Sequence, residues 1–139
     1  MINTSRLVVY GVVNKLNELG LPVYVDSVKS NLRYPCFIVK PIEYLYKKYP
    51  NNRHMTTIPI QIVYIPDGKR GGSNLDISDK FTELHDLLDV IDIGEGYSIR
   101  GYNMGSETFD NLLYYKVDYR VMLQDKVIDK LMSELEVKY

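Results

Sequence analysis

Lys47 and Lys48 stand among Tyr44, Tyr46 and Tyr49, and Arg53 and His54 follow a few residues later. Rings interleaved with cations can stack on bases and neutralise phosphates. The same residue types anchor protein interfaces, where tyrosine and arginine are favoured. The formal net charge of the 139-residue chain is -1, which gives no global attraction for nucleic acid or an anionic membrane. The cluster therefore reads first as a protein contact, with nucleic acid as the narrower alternative.

Reaction chemistry finds less support. His85 lies on a predicted helix near Glu83, Asp86 and Asp89, yet only Asp89, at i+4, shares its face. One histidine and one carboxylate fall short of a metal site, so a solvated helix face is the reading. Cys36 opens an apolar run, where a buried, inert thiol is usual, and no histidine is placed by motif to activate it. Gly94-Glu95-Gly96 with Gly101 sits between a helix and a strand, the reverse of a dinucleotide fingerprint. Residues 68–72, GKRGG, lack the Walker spacing. They read instead as a mobile contact loop in which Lys69 and Arg70 meet a partner. No set of groups with complementary acidity converges, so the expectation is a non-enzyme without cofactor or metal.

These residues need elements to hold them. Val9, Val12, Leu16 and Leu19 recur at helical spacing after a cap at Thr4 or Ser5, which predicts a helix over residues 4–19 with Gly20 as its stop. Gly11 inside it points to close packing against another element. Residues 23–25 form a short strand, and residues 34–66 read as a long two-stranded ribbon. Its arms are residues 36–47 and 54–65, turning at residues 49–52. Pro59, without an N–H, puts the second arm on an edge or leaves its N–H side unpaired there. Pro41 says the same of the first arm, or marks a bulge.

Ile77, Phe81, Leu84, Leu88 and Ile91 predict a second helix capped by Ser73 or Asn74 and ending before Gly94. Residues 97–104 read as a strand and residues 105–110, GSETFD, as a turn. The strand that follows alternates Leu113, Tyr115, Val117, Tyr119, Val121 and Leu123 against Lys116, Asp118 and Arg120. Residues 126–137 suit a short charged helix. The resulting expectation is one α+β domain over residues 1–139: an antiparallel sheet of two hairpins plus a short strand, with helices on one face and a C-terminal helix.

Composition agrees with a globular protein at 45% apolar and 25% charged residues. A lone cysteine excludes an internal disulfide framework and fits a reducing compartment. The N-terminal apolar run is too short and too polar for a signal peptide or a bilayer span, which predicts a protein assembled in the cytoplasm. Thirteen tyrosines without a tryptophan suit half-exposed sheet faces and interfaces.

The segments PCFIVKPIEYLYKKYPNNRHMTTIPIQIVYIP, NLDISDKFTELHDLLDVI and RGYNMGSETFDNLLYYKVDYRV follow one another in an order that resembles the small tail terminator proteins of phages and prophages. The closest likeness is to members from Gram-positive hosts, through PCFIV, Arg53 after the hairpin turn, and IVYIP. The resemblance implies a structural virion protein that forms a ring, usually hexameric, on the head-proximal end of the tail tube. Such a ring ends tube polymerisation and faces the neck or head. In contractile tails it also meets the sheath, and headless tail-like particles use a similar cap. A head–tail connector is the neighbouring alternative. Under the resemblance, Tyr44, Tyr46, Lys47, Lys48, Tyr49, Arg53, Pro59, Lys69 and Arg70 are candidate interface residues for neighbouring subunits, the tube or luminal DNA.

Overall fold

The structure is a computed structural model that describes residues 4–25, 32–66, 74–94 and 96–124. The C-terminal helix predicted at residues 126–137, the loop carrying Lys69 and Arg70, and the Ser73 cap lie outside the described residues.

Two long strands carry the fold, β4 (Arg53–Ile65) and β7 (Leu112–Gln124). Ile58, Ile60, Ile62 and Tyr64 are buried along β4, as are Leu113, Tyr115, Val117, Tyr119 and Val121 along β7. A period of two places each set on one face, and the antiparallel register sets Ile58 opposite Tyr119, Ile60 opposite Val117 and Ile62 opposite Tyr115. Against this face pack Leu7, Val8, Val9, Val12 and Leu16 of α1 (Thr4–Asn17) and Ile77, Leu84 and Leu88 of α2 (Asn74–Leu88).

The remaining strands are β1 (Val23–Val25), β2 (Cys36–Pro41), β3 (Leu45–Tyr49), β5 (Val90–Gly94) and β6 (Tyr97–Phe109). They form one seven-stranded sheet in the order β1-β2-β4-β7-β6-β5, with β3 on β4 beside β2. The architecture corrects the α+β expectation of an antiparallel sheet of two hairpins covered by helices. The chain is mostly β, its sheet is curled into a half-barrel, and β1 pairs with β2 in parallel. Only two helices occur among the described residues.

Three segments depart from their local sequence pattern. Ile91 continues the helical spacing of α2, yet it belongs to β5, where Ile91 and Ile93 are buried and Val90 and Asp92 exposed. Residues 105–109 look like turn formers but continue β6, opposite residues 112–116 of β7. The turn itself is Asp110-Asn111, with φ 49 and 62, the left-handed pair that a two-residue hairpin requires. Finally, the first ribbon arm is two strands, because Pro41 ends β2. Register passes from Pro41↔Ile60 to Leu45↔Thr57, which adds one residue on that arm.

Pro59 sits at this break. It lies inside β4, buried, opposite Asp118 of β7 on one side and the irregular residues 42–44 on the other. Its carbonyl accepts from the Ile42 amide at 2.9 Å. In an antiparallel strand a residue's N and O point the same way, so the missing N–H also faces the break and leaves the β7 ladder intact. The unpaired-donor reading of Pro59 therefore holds, and the open-edge reading does not.

Helix ends are set by specific contacts. The last turn of α1 tightens as the amides of Glu18, Leu19 and Gly20 donate to Lys15, Leu16 and Asn17, and Gly20 leaves at φ 76. Gly11 packs α1 against β5 so closely that an added Cβ would stand 2.6 Å from the Asp92 carbonyl oxygen. The end of α2 is held by two donors. The buried Tyr119 hydroxyl donates to the Leu88 carbonyl at 2.7 Å, and the Gly101 amide donates to the Asp89 carbonyl at 2.8 Å.

Burial, reinforced by Asp89, pushes the Tyr115 phenol up to about 12, and Tyr119 is raised further by burial, with Tyr115 and Asp89 adding to it. An unfolded tyrosine ionises near 10, so this stabilisation is complete below pH 10 and is lost as pH rises through 12. Urea titrations should accordingly show falling stability across that window. At neutral pH, Tyr119→Phe should lose about 1–3 kcal/mol by orphaning the Leu88 carbonyl. Tyr115→Phe should change little, because its hydroxyl has no hydrogen-bond partner to lose. Gly11→Ala should destabilise by about 1–3 kcal/mol despite the better helix propensity of alanine, because the clash is with backbone. Equal stability of Tyr119→Phe and the parent chain in those titrations would remove the proposed anchor of α2.

Candidate assembly interface

The β3–β4 hairpin reaches beyond the part of the sheet that the helices cover. Leu45, Tyr46, Lys47 and Lys48 are all exposed, and only Tyr49 is half-buried. Tyr44 and Tyr46 show 61% and 60% of their surface, and Ile42 and Leu45 about half. Four large apolar side chains within five residues thus meet solvent. Single exposed apolar side chains are ordinary, whereas a contiguous group of this kind is a candidate contact surface. The hairpin turns at Pro50, Asn51 and Asn52, where both asparagines take left-handed φ angles of 65 and 56.

Pairing divides the basic-aromatic cluster between two faces. Tyr46 is opposite Thr56 and Lys48 opposite His54, on the side continuous with the core. The Tyr46 ring lies 5.3 Å from that of His54. Leu45, Lys47 and Tyr49 point to the outer side with Thr57, Met55 and Arg53. There the Lys47 ammonium stands 5.2 Å from the centre of the Tyr49 ring, a cation–π contact. Arg53 donates from Nε to the Pro50 carbonyl at 3.2 Å, so it also braces the turn. The two lysines therefore cannot act as one flat basic surface.

Across β7 the outer face carries a second cluster that reading by motif misses. The Arg120 guanidinium stacks 4.7 Å from the Tyr102 ring centre. Asn103, at φ 53 in the bulge of β6, donates to Asp118 Oδ2 at 3.0 Å. The other Asp118 oxygen is buried without a partner. Alternation along β7 groups Asp118 and Arg120, but only the β6 register brings Tyr102 and Asn103 to them. At the far end of the sheet, Phe109 is 65% exposed beside a shallow groove lined by Gln61, Glu107, Thr108 and Tyr114.

The residues with reactive side chains are placed apart. Cys36 is fully buried, and burial raises its thiol pKa. His85 stacks on Phe81 along α2, with ring centres 6.3 Å apart. Among the described residues no three histidine, cysteine or carboxylate side chains gather as a metal site would need. No helix among them is long and apolar enough to cross a membrane.

No curated protein matches the chain. The family model described as phage tail terminator protein matches residues 8–132, which takes in α1 from Val8 onward, α2 and every strand among the described residues. That family is one of structural proteins that complete the virion tail, and its partners are other tail proteins. The chain belongs to the phage tail terminator protein family.

Proposed function

We propose that this chain assembles into a ring, hexameric as the resemblance implies, that caps the head-proximal end of a tail tube and stops its growth. The observation that carries the reading is the β3–β4 hairpin, with Ile42, Tyr44, Leu45 and Tyr46 exposed together. A monomer gains nothing from this arrangement, because each ring costs hydration without adding to the core. Tyrosine at such a tip supplies large contact area at low entropic cost.

In this reading the hairpin tip and the adjoining Lys47, Lys48, Tyr49 and Arg53 touch subunits and tube. Lys69 and Arg70, contact residues by their sequence, add charge to the rim in this reading. Pro59 is a residue of the sheet interior and acts only by permitting the break that frees β3. A face toward the neck, and toward the sheath where the tail contracts, completes the set of partners.

Added to polymerising tube protein, the purified chain should shorten the tubes and bind their ends, as seen by electron microscopy. The Tyr44→Ala/Tyr46→Ala variant should need about thirtyfold more protein for the same effect, the loss expected for about 2 kcal/mol of contact energy. Its circular dichroism should match that of the parent. Tube lengths that do not respond to the parent chain at any concentration would defeat the capping reading.

A further inference from the structure

Each strand of a sheet edge carries a row of backbone donors and acceptors that must be paired or guarded. Here β5 is guarded by α1 at Gly11, and β1 is only three residues long. Two longer edges stay open among the described residues. One is the outer side of β3, which pairs only with β4. The other is β6 from Tyr102 to its end at Phe109, because β5 reaches only as far as Arg100 and the Gly101 amide is taken by the Asp89 carbonyl.

These edges lie on opposite sides of the sheet and carry opposite charge. β3 bears Lys47 and Lys48 and no acid. Residues 101–111 bear Glu107 and Asp110 and no cation. Their directions also match. β3 and β7 both run antiparallel to β4, and β6 runs antiparallel to β7. A neighbour in a ring whose strands keep their sense along the ring axis therefore presents its β3 antiparallel to β6.

We infer that neighbouring copies of this chain join by antiparallel pairing of β3 of one copy with the 102–109 stretch of β6 of the next. This rests on the ring reading and names its subunit contact. The contact is heterologous, since two different edges meet, and so it propagates around a ring instead of closing a two-fold dimer. Like charges would oppose β3 meeting β3, whereas Lys47 shares the outer face with Glu107 and can meet it, and Lys48 adds to the positive charge of the β3 edge.

The register also fixes a stagger. β3 stands level with residues 120–124 of β7, and the open part of β6 with residues 112–118. Their centres differ by about seven residues, roughly 23 Å at the rise of a strand. Four strands span roughly 19 Å, so closure tilts the strands by about 50° to the ring axis, near the 35–45° typical of closed barrels.

Native mass spectrometry of the chain, alone and with tube protein, tests the pairing through charge reversal. Lys47→Glu/Lys48→Glu should raise the concentration needed for assembly at least tenfold, and Glu107→Lys alone should do the same. Combining all three reversals restores complementarity and should restore the ring. Circular dichroism checks that each variant is folded. A parent-like ring from the doubly reversed chain, or failure of the triple variant to recover, overturns the edge pairing while tube capping by the parent still stands. A parent chain that is monomeric both alone and on tubes overturns the pairing and the ring together.

Discussion

The antiparallel pairing of β4 with β7 is the constraint on which the rest of the molecule depends. It runs over twelve residues, from Arg53↔Gln124 to Tyr64↔Leu113, and sets two buried stripes side by side. A slip of one residue would turn Ile58, Ile60 and Ile62 outward and bring Gln61 and the ring of Pro59 into the core. Apolar burial along both stripes therefore locks the register. That register in turn places Tyr119 where its hydroxyl reaches the end of α2, and Val117 where only glycine fits at position 101.

Because β4 and β7 are longer than the covered core, the sheet has ends that the helices do not reach. At one end the Pro41 break releases β3 as a short strand with exposed faces. At the other, the Asp110-Asn111 turn carries Phe109 past the buried Leu113, and Glu107 is exposed opposite Tyr114. A protein with a solitary existence would cover the apolar side chains that stand exposed at such ends. A member of a tail-completing family has a reason to leave them available, since its work is to contact other proteins.

Much of this was legible in the residues. Period-two alternation located β4 and β7, 3.6-residue spacing located α1 and most of α2, and Gly11 announced a close helix–sheet approach that the Asp92 carbonyl explains. The losses share one cause. Ile91 satisfies a helix period and a strand period equally well, and burial in β5 decides between them. Gly105 and Ser106 favour turns locally, but their partners Lys116 and Tyr115 on β7 hold them extended. Val23–Val25 reads as a strand without indicating that its neighbour is β2 or that the pairing is parallel. The clustering of Tyr102 and Asn103 with Asp118 and Arg120 likewise depends on a register that no local pattern carries.

By itself, the sequence determined which residues must be buried together and which must stay wet, because periodicity is a local property of the backbone. It also carried the ordered likeness to the tail terminator family. Only the tertiary structure decided where the sheet ends lie, that Pro59 is interior, and that Lys47 and Lys48 face opposite sides of one hairpin. Those facts follow from long-range pairing between segments as distant as β4 and β7. The free energy of that pairing depends on the partner strand, and neither strand specifies it alone.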